Sequence, residues 1–310
     1  MSPPHVSVVL TTRNREADLL RAARSVLGQT YRDLELIIVD EGSSDGTPGA
    51  LQRLCQEDAR VRFLRNDVAV GLPGARNCGI DVAQGDLVAF CDDDDAWLPD
   101  AAEYLVEEFE REPEIGAVSS WHEVLRVESG RAVIYRGAVD LDDQLLLWMN
   151  FVAKPFGMYR RSAFSPEHRF DAGLVKVAED WDFWLRCAQQ RPFRVVPRVL
   201  YLYRQHGGPR MTTDRDRQSA GLLELVAKHQ NAMTPACRTF HFCVSDLLLG
   251  HQDLVVRRLA EVARRSPADA AFVSLMLATS RQVGRLGQSW RDPALPARTM
   301  ARLLRSSLAR

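Results

Sequence analysis

The residues best placed to do chemistry are four consecutive aspartates, Asp92 to Asp95, which follow the apolar run DLVAFC (86–91). Like charges packed at the end of a buried strand repel one another, and each carboxylate loses solvation. A hard divalent cation resolves this. Mg²⁺ or Mn²⁺ prefers oxygen ligands and is commonly held by one or two carboxylates together with substrate phosphates. Alternate residues of an extended chain point the same way. Asp92 and Asp94 can therefore converge on a nucleoside diphosphate and its metal, with Asp93 and Asp95 turned elsewhere. The competing reading is a solvated acidic turn in which Asp93 or Asp95 caps a neighbouring segment.

Three further segments carry candidate groups. In VDEGSSDGT (39–47), Asp40 closes an apolar run and Gly42 permits a tight turn; its carboxylate can accept from a base N–H or a ribose hydroxyl, or form an Asx turn. In GLPGARNCG (71–79), two glycines precede a helix start, where anions are favoured, and Arg76 adds a phosphate-pairing charge. The spacing is not G-x-G-x-x-G, and the first loop has no glycine, which argues against a dinucleotide site. Glu179-Asp180 opens a tryptophan-rich helix. A carboxylate beside apolar rings suits a general base, although acids in a first helical turn also serve the macrodipole. His206, after a strand, can ligate metal or contact phosphate.

The elements that position these groups follow from periodicity. VSVVL (6–10), LELIIVD (34–40), VRFL (61–64) and DLVAFC (86–91) read as buried strands. Helical spacing separates them, with Thr12 or Asn14 as the first N-cap. Strand–helix alternation with short links implies a mostly parallel sheet with helices on both faces. Ligands of such sheets bind beyond the carboxyl ends of the strands, where the loops after Leu10, Val39 and Cys91 lie. From about 115 the pattern changes to a hairpin around ESGR, a strand at FGMYR (156–160), the helix AEDWDFWLRCAQQ (178–190) and two short strands around Pro197. Beyond 211 the chain reads as helical.

The chain has 310 residues, 46% hydrophobic and 26% charged, which excludes a disordered, collagen-like or disulfide-scaffold protein. Its net charge of −1 points away from nucleic acid. The balance is uneven: residues 1–210 hold 25 Lys+Arg against 33 Asp+Glu, and residues 211–310 hold 15 against 8. The six cysteines form no C-x-x-C pair and read as buried free thiols. Without an apolar h-region or a run of about 18 apolar residues, the expectation is no signal peptide and no spanning helix, hence a cytoplasmic protein. ARTMARLLRSSLAR (297–310) places Met300, Leu303, Leu304 and Leu308 on one face. Such a basic amphipathic helix suits an anionic membrane surface, or packs on the catalytic domain or a dimer partner.

Together, VSVVLTTRNR, VDEGSSDGT, GLPGARNCG, VAFCDDDDAWLPD, AEDWDFWLR and LYRQH occur in an order and spacing that resembles the family-2 inverting glycosyltransferases, from about residue 5 to 207. The resemblance implies a GT-A fold: an α/β, Rossmann-like nucleotide-binding domain with a mixed, mostly parallel sheet flanked by helices. Residues 1–210 would be the catalytic domain, with 1–115 the nucleotide-sugar half and 116–210 the acceptor half, and 211–310 a helical C-terminal extension. It further implies a nucleoside-diphosphate-sugar donor and a glycan or lipid-linked glycan acceptor in cell-surface polysaccharide or other glycoconjugate synthesis. Thr11, Thr12, Arg13, Asp40, Glu41, Arg76, Asp92 and Asp93 would bind the nucleotide sugar. Asp94, Asp92 and His206 would hold Mn²⁺ or Mg²⁺. Asp180 would be the catalytic base, with Glu179 beside it near the acceptor. Peripheral contact with the inner membrane face through residues 281–310, and a homodimer, would both fit.

The chain departs from the family pattern at Thr11 and Arg13, where Pro and Tyr are usual, and at Glu41, where a second Asp is usual. The extra methylene would carry the Glu41 carboxylate outward and leaves the nucleoside base open. Two other readings compete: a catalytically weak nucleotide-sugar- or glycan-binding scaffold, which loss of the metal aspartate or the base would signal, and a sugar-1-phosphate nucleotidyltransferase, whose Gly-rich first loop TTRNRE lacks.

Overall fold

The computed structural model describes residues 5–135, 146–147, 157–165, 167–174, 178–206, 214–271, 273–274 and 277. The expected helix over 297–310, the basic stretch 281–310 and part of the 116–210 half lie outside the described residues.

The first half alternates strand and helix as its periodicity predicts: β1 (Val6–Thr12), α1 (Glu16–Leu27), β2 (Leu34–Asp40), α2 (Thr47–Glu57), β3 (Val61–Arg65), α3 (Gly71–Val82) and β4 (Leu87–Asp92). Then come β5 (Ala96–Trp97), α4 (Ala101–Arg111), β6 (Ala117–Arg126), β7 (Arg131–Tyr135), β8 (Gly157–Arg160), α5 (Glu179–Ala188) and β9 (Phe193–Gln205). The extension forms α6 (Arg215–His229), α7 (Pro235–Leu248) and α8 (Gln252–Arg265). The strands make one sheet in the order β3-β2-β1-β4-β8-β6-β9-β5, with β7 paired to β6. β3, β2, β1 and β4 run parallel; β8 enters antiparallel between β4 and β6.

Period-two alternation divides the core between the two faces. Val6, Val8 and Leu10 of β1 point to one face, packed with Leu19, Val26, Leu51, Leu105 and Phe109. Val9 points to the other, with Ile80, Phe90, Tyr159, Phe183, Trp184, Leu225 and Phe240. That second core runs unbroken from β1 and β4 into the C-terminal helices. It requires close approach of α3 to β1: a Cβ on Gly79 would lie 2.3 Å from a Val9 methyl.

Two expectations are corrected. Residues 193–205 form one strand, not two, because Ser120 pairs with Val196 and Trp121 with Val199, so Pro197 and Arg198 are accommodated at an irregularity in the ladder. Neither Thr12 nor Asn14 caps α1. Arg15 holds the N-cap position with no side-chain bond, while Asn14 (φ 53°) accepts from the Ser44 N–H and Thr12 bonds Asp93.

Candidate active site

Parallel register brings the strand ends together. Thr12 stands opposite Asp40 and Thr11 opposite Asp92, so three loops leave the sheet at one edge. β9 adds a fourth segment there: its pairing with β5 carries Arg204 and His206 to the acidic run. The Arg204 N–H donates to Asp95 Oδ1 at 2.9 Å, and His206 Nε2 lies 3.4 Å from Asp94 Oδ2.

Carboxylate oxygens of Asp92, Asp94 and Asp95 lie within 4.8 Å of one another. Three hard oxygen donors bordered by an imidazole fit Mg²⁺ or Mn²⁺. Asp95 belongs to this group, which corrects the expectation that it turns away. Asp93 does turn inward and is not open to a nucleotide. It accepts from Thr12 Oγ1 at 2.8 Å and pairs with Arg15 at 2.9 Å. Burial pushes its carboxyl up to about 6, with the Arg15 charge and the Thr12 bond pulling the other way. The same Arg15 Nη1 reaches Asp94 Oδ2 at 2.9 Å, so this cation sits against the acidic group.

Arg76 is also corrected. It is 2% exposed and does not project from the α3 N-terminus toward an anion. A buried guanidinium needs partners, and it has two: Asp92 Oδ1 at 3.0 Å and Glu179 Oε1 at 3.2 Å. Burial opposes its charge, but these carboxylates outweigh that and raise its pKa above the ordinary value of an arginine. Its guanidinium lies 5.3 Å from the Phe170 ring centroid. Arg76 thereby brings the first turn of α5, with Glu179 and Asp180, to the end of β4. Asp180 is half-buried, accepts from the Trp181 N–H at 2.7 Å, and lies close enough to reinforce the Arg76 charge.

Of the residues expected to line a nucleoside pocket, Thr11, Asp40 and Glu41 are more enclosed than the sequence suggests. Asp40 is fully buried and accepts from the Ser43 N–H at 3.0 Å and Arg65 Nη1 at 2.6 Å. The Glu41 carboxylate does not move outward. Its added methylene lets it fold onto the start of α3, where it accepts from the Val70 and Gly71 N–H groups at 2.9 and 2.8 Å and from Asn66 at 2.6 Å. Thr11 is buried, and Arg13 is exposed. Sequence reasoning missed Arg15, Arg65, Asn66 and Arg204. Arg65 was detectable in principle, since β3 pairs it directly with Asp40.

A family model described as Glycosyl transferase family 2 matches residues 7–166. An uncharacterized glycosyltransferase of Rickettsia conorii is 26% identical over 228 residues, which is 72% of this chain and 36% of that protein. The GalNAc(5)-diNAcBac-PP-undecaprenol beta-1,3-glucosyltransferase of Campylobacter jejuni is 39% identical over 105 residues, 34% of each. The chain thus spans about a third of the length of these curated relatives. Among solved structures, S. aureus TarS 1–349 in complex with UDP-GlcNAc aligns with a TM-score of 0.65 at 15% identity, covering 99% of this chain and 92% of that one. Mannosyltransferase PcManGT from Pyrobaculum calidifontis, in complex with GDP-Man and Mn²⁺, aligns at 0.60 with 18% identity, covering 100% and 87%. With more than half of its length matched by the family model and its sheet and flanking helices those of the GT-A fold, the chain belongs to glycosyltransferase family 2.

Proposed function

We propose that this chain is a metal-dependent, inverting glycosyltransferase that moves a sugar from a nucleoside-diphosphate sugar to a hydroxyl of a glycan or lipid-linked glycan. The observation that carries the reading is the Asp92–Arg76–Glu179 bridge, which joins the acidic strand end to the helix of Asp180. Asp180 takes the proton of the acceptor hydroxyl as its oxygen attacks C1. The bond from C1 to the diphosphate breaks, and its electron pair leaves with the diphosphate. One attack on one face inverts the anomeric centre, with no covalent intermediate. Negative charge grows on the diphosphate, and Arg15 and His206 border the place where it is held. Asp92 and Asp94, flanked by Asp95 and His206, would hold Mg²⁺ or Mn²⁺, which when bound supplies charge neutralisation for the leaving diphosphate.

Residues 116–210 are the acceptor half in this reading, and the basic amphipathic pattern of 297–310 supports a lipid-linked acceptor at a membrane surface. A relative named for an undecaprenol-linked substrate and a neighbour solved with GDP-Man and Mn²⁺ support the same classes. No helix among the described residues is long and apolar enough to cross a membrane. The test is incubation with Mn²⁺ and UDP-glucose, UDP-GlcNAc or GDP-mannose. Release of UDP or GDP from at least one donor, abolished by chelation, is expected; a donor bound but never cleaved would favour the binding-scaffold reading.

A further inference from the structure

Asp182 lies one turn into α5 and is fully buried. Its Oδ1 accepts from His229 Nε2 at 2.8 Å and Lys228 Nζ at 2.9 Å, and its Oδ2 from Arg186 at 2.7 and 2.9 Å. His229 and Lys228 are the last two residues of α6, so a charge inside the catalytic half is satisfied from the C-terminal extension. A carboxylate with four such contacts in the interior is fixed in place.

That anchor sits beside a strained entry. Ala178, the residue before Glu179-Asp180, has φ 88°, a left-handed conformation that L residues avoid and that surroundings must impose. The Asp182 N–H closes the first turn by donating to the Ala178 carbonyl at 2.9 Å. The turn is thus held between Arg76 on Glu179 and the α6 terminus on Asp182. Lys228 also reaches Asp171 Oδ2 at 2.7 Å, next to Phe170, whose backbone is clamped by both ends of the Asn77 amide at 2.8 and 3.0 Å. Beside Asp182 on α5, Trp181 Nε1 donates to the Leu146 carbonyl at 2.6 Å and its ring meets that of His241 of α7, whose Nε2 bonds the Leu147 carbonyl at 2.7 Å. Two helices of the extension therefore contact the α5 turn, α6 at Asp182 and α7 at Trp181.

We infer that His229 and Lys228 are positioning residues: through Asp182 they fix the α5 turn that aims Asp180 at the acceptor, so the extension is part of the machinery of transfer. This rests on Asp180 being the base. The test uses the full chain, Mn²⁺ and whichever of UDP-glucose, UDP-GlcNAc or GDP-mannose it hydrolyses, with UDP or GDP affinity measured alongside. His229→Leu should lower kcat by about 10-fold or more, as expected when a reacting group is misaimed. KM for the donor and affinity for the free nucleotide should stay within about 2-fold, since that half is untouched. His229→Gln, which keeps an N–H on Asp182, should recover most of the loss. Lys228→Met, at an exposed position, should show a smaller loss of the same kind and serves if His229→Leu does not fold. In an Asp180→Asn background, either change should have no further effect. Unchanged kcat in His229→Leu and Lys228→Met, or losses that multiply with Asp180→Asn, would overturn the inference. Full turnover by Asp180→Asn alone would instead overturn the assignment of the base.

Discussion

Asp92 at the end of β4 and Glu179 at the start of α5 share one buried guanidinium: Arg76 Nη2 lies 3.0 Å from Asp92 and Nη1 lies 3.2 Å from Glu179. The strand that ends in the acidic run and the helix that begins with Glu179-Asp180 are therefore fixed to each other by charge. Hydrophobic packing alone would tolerate sliding between them; a guanidinium fork holding two carboxylates does not.

Removing that fork should be expensive. Arg76→Met leaves two carboxylates without their shared counter-charge, and breaking a buried pair on one side typically costs about 3–5 kcal/mol. Arg76→Lys should recover little, because an ammonium cannot span both acids in the same geometry. Urea denaturation measures both; a loss under about 1 kcal/mol in Arg76→Met would show that the bridge is dispensable.

The acidic run makes a separable prediction. Asp94→Ala should abolish Mn²⁺-dependent binding of UDP or GDP in titration calorimetry while leaving the melting temperature near that of the wild type, since Asp94 faces the open edge rather than the core. Asp93→Ala should do the opposite: Asp93 is buried on Thr12 and Arg15, so its loss should lower stability first. Equal Mn²⁺-dependent binding by wild type and Asp94→Ala would contradict the assignment.

Close packing of α3 on β1 is testable at Gly79. A side chain there meets Val9, itself buried, at 2.3 Å. Gly79→Ala should destabilise by about 1–3 kcal/mol through overpacking, despite the better helix propensity of alanine.

His241 confers a defined acid sensitivity. Burial pushes its imidazole down to about 4, opposed by its hydrogen bond to the Leu147 carbonyl, against 6.5 when unfolded. Between those values the unfolded chain binds the extra proton. Its contribution to stability is therefore complete above about pH 6.5 and is lost as pH falls toward 4, by about 3 kcal/mol in all. His241→Gln keeps a donor for Leu147 and should flatten that part of the melting-temperature profile. An unchanged slope between pH 6.5 and 4 would count against it.

Much of this was legible in the sequence because it is encoded locally. Apolar runs with short links gave β1, β2 and β4, and the acidic run was expected where it lies, at the end of β4 beside the ends of β1 and β2. What escaped was long-range. Nothing near Arg76 indicates that its partner is Glu179, and Arg15 reads as an ordinary loop residue until register sets it against Asp93 and Asp94. Pro197 read as a strand break because its accommodation depends on how β9 pairs with β6. Glu41 was misjudged because side-chain length was weighed without knowing that a helix N-terminus lay within its reach.

Asp180 is the residue on which transfer most directly depends in the proposed reaction. Stopped assays of UDP or GDP release with Mn²⁺ and a cleaved donor, run beside calorimetric binding of the nucleotide, separate chemistry from affinity. Asp180→Asn should bind UDP or GDP as the wild type does and lose about 10²-fold or more in turnover. Wild-type turnover by that variant would contradict the account.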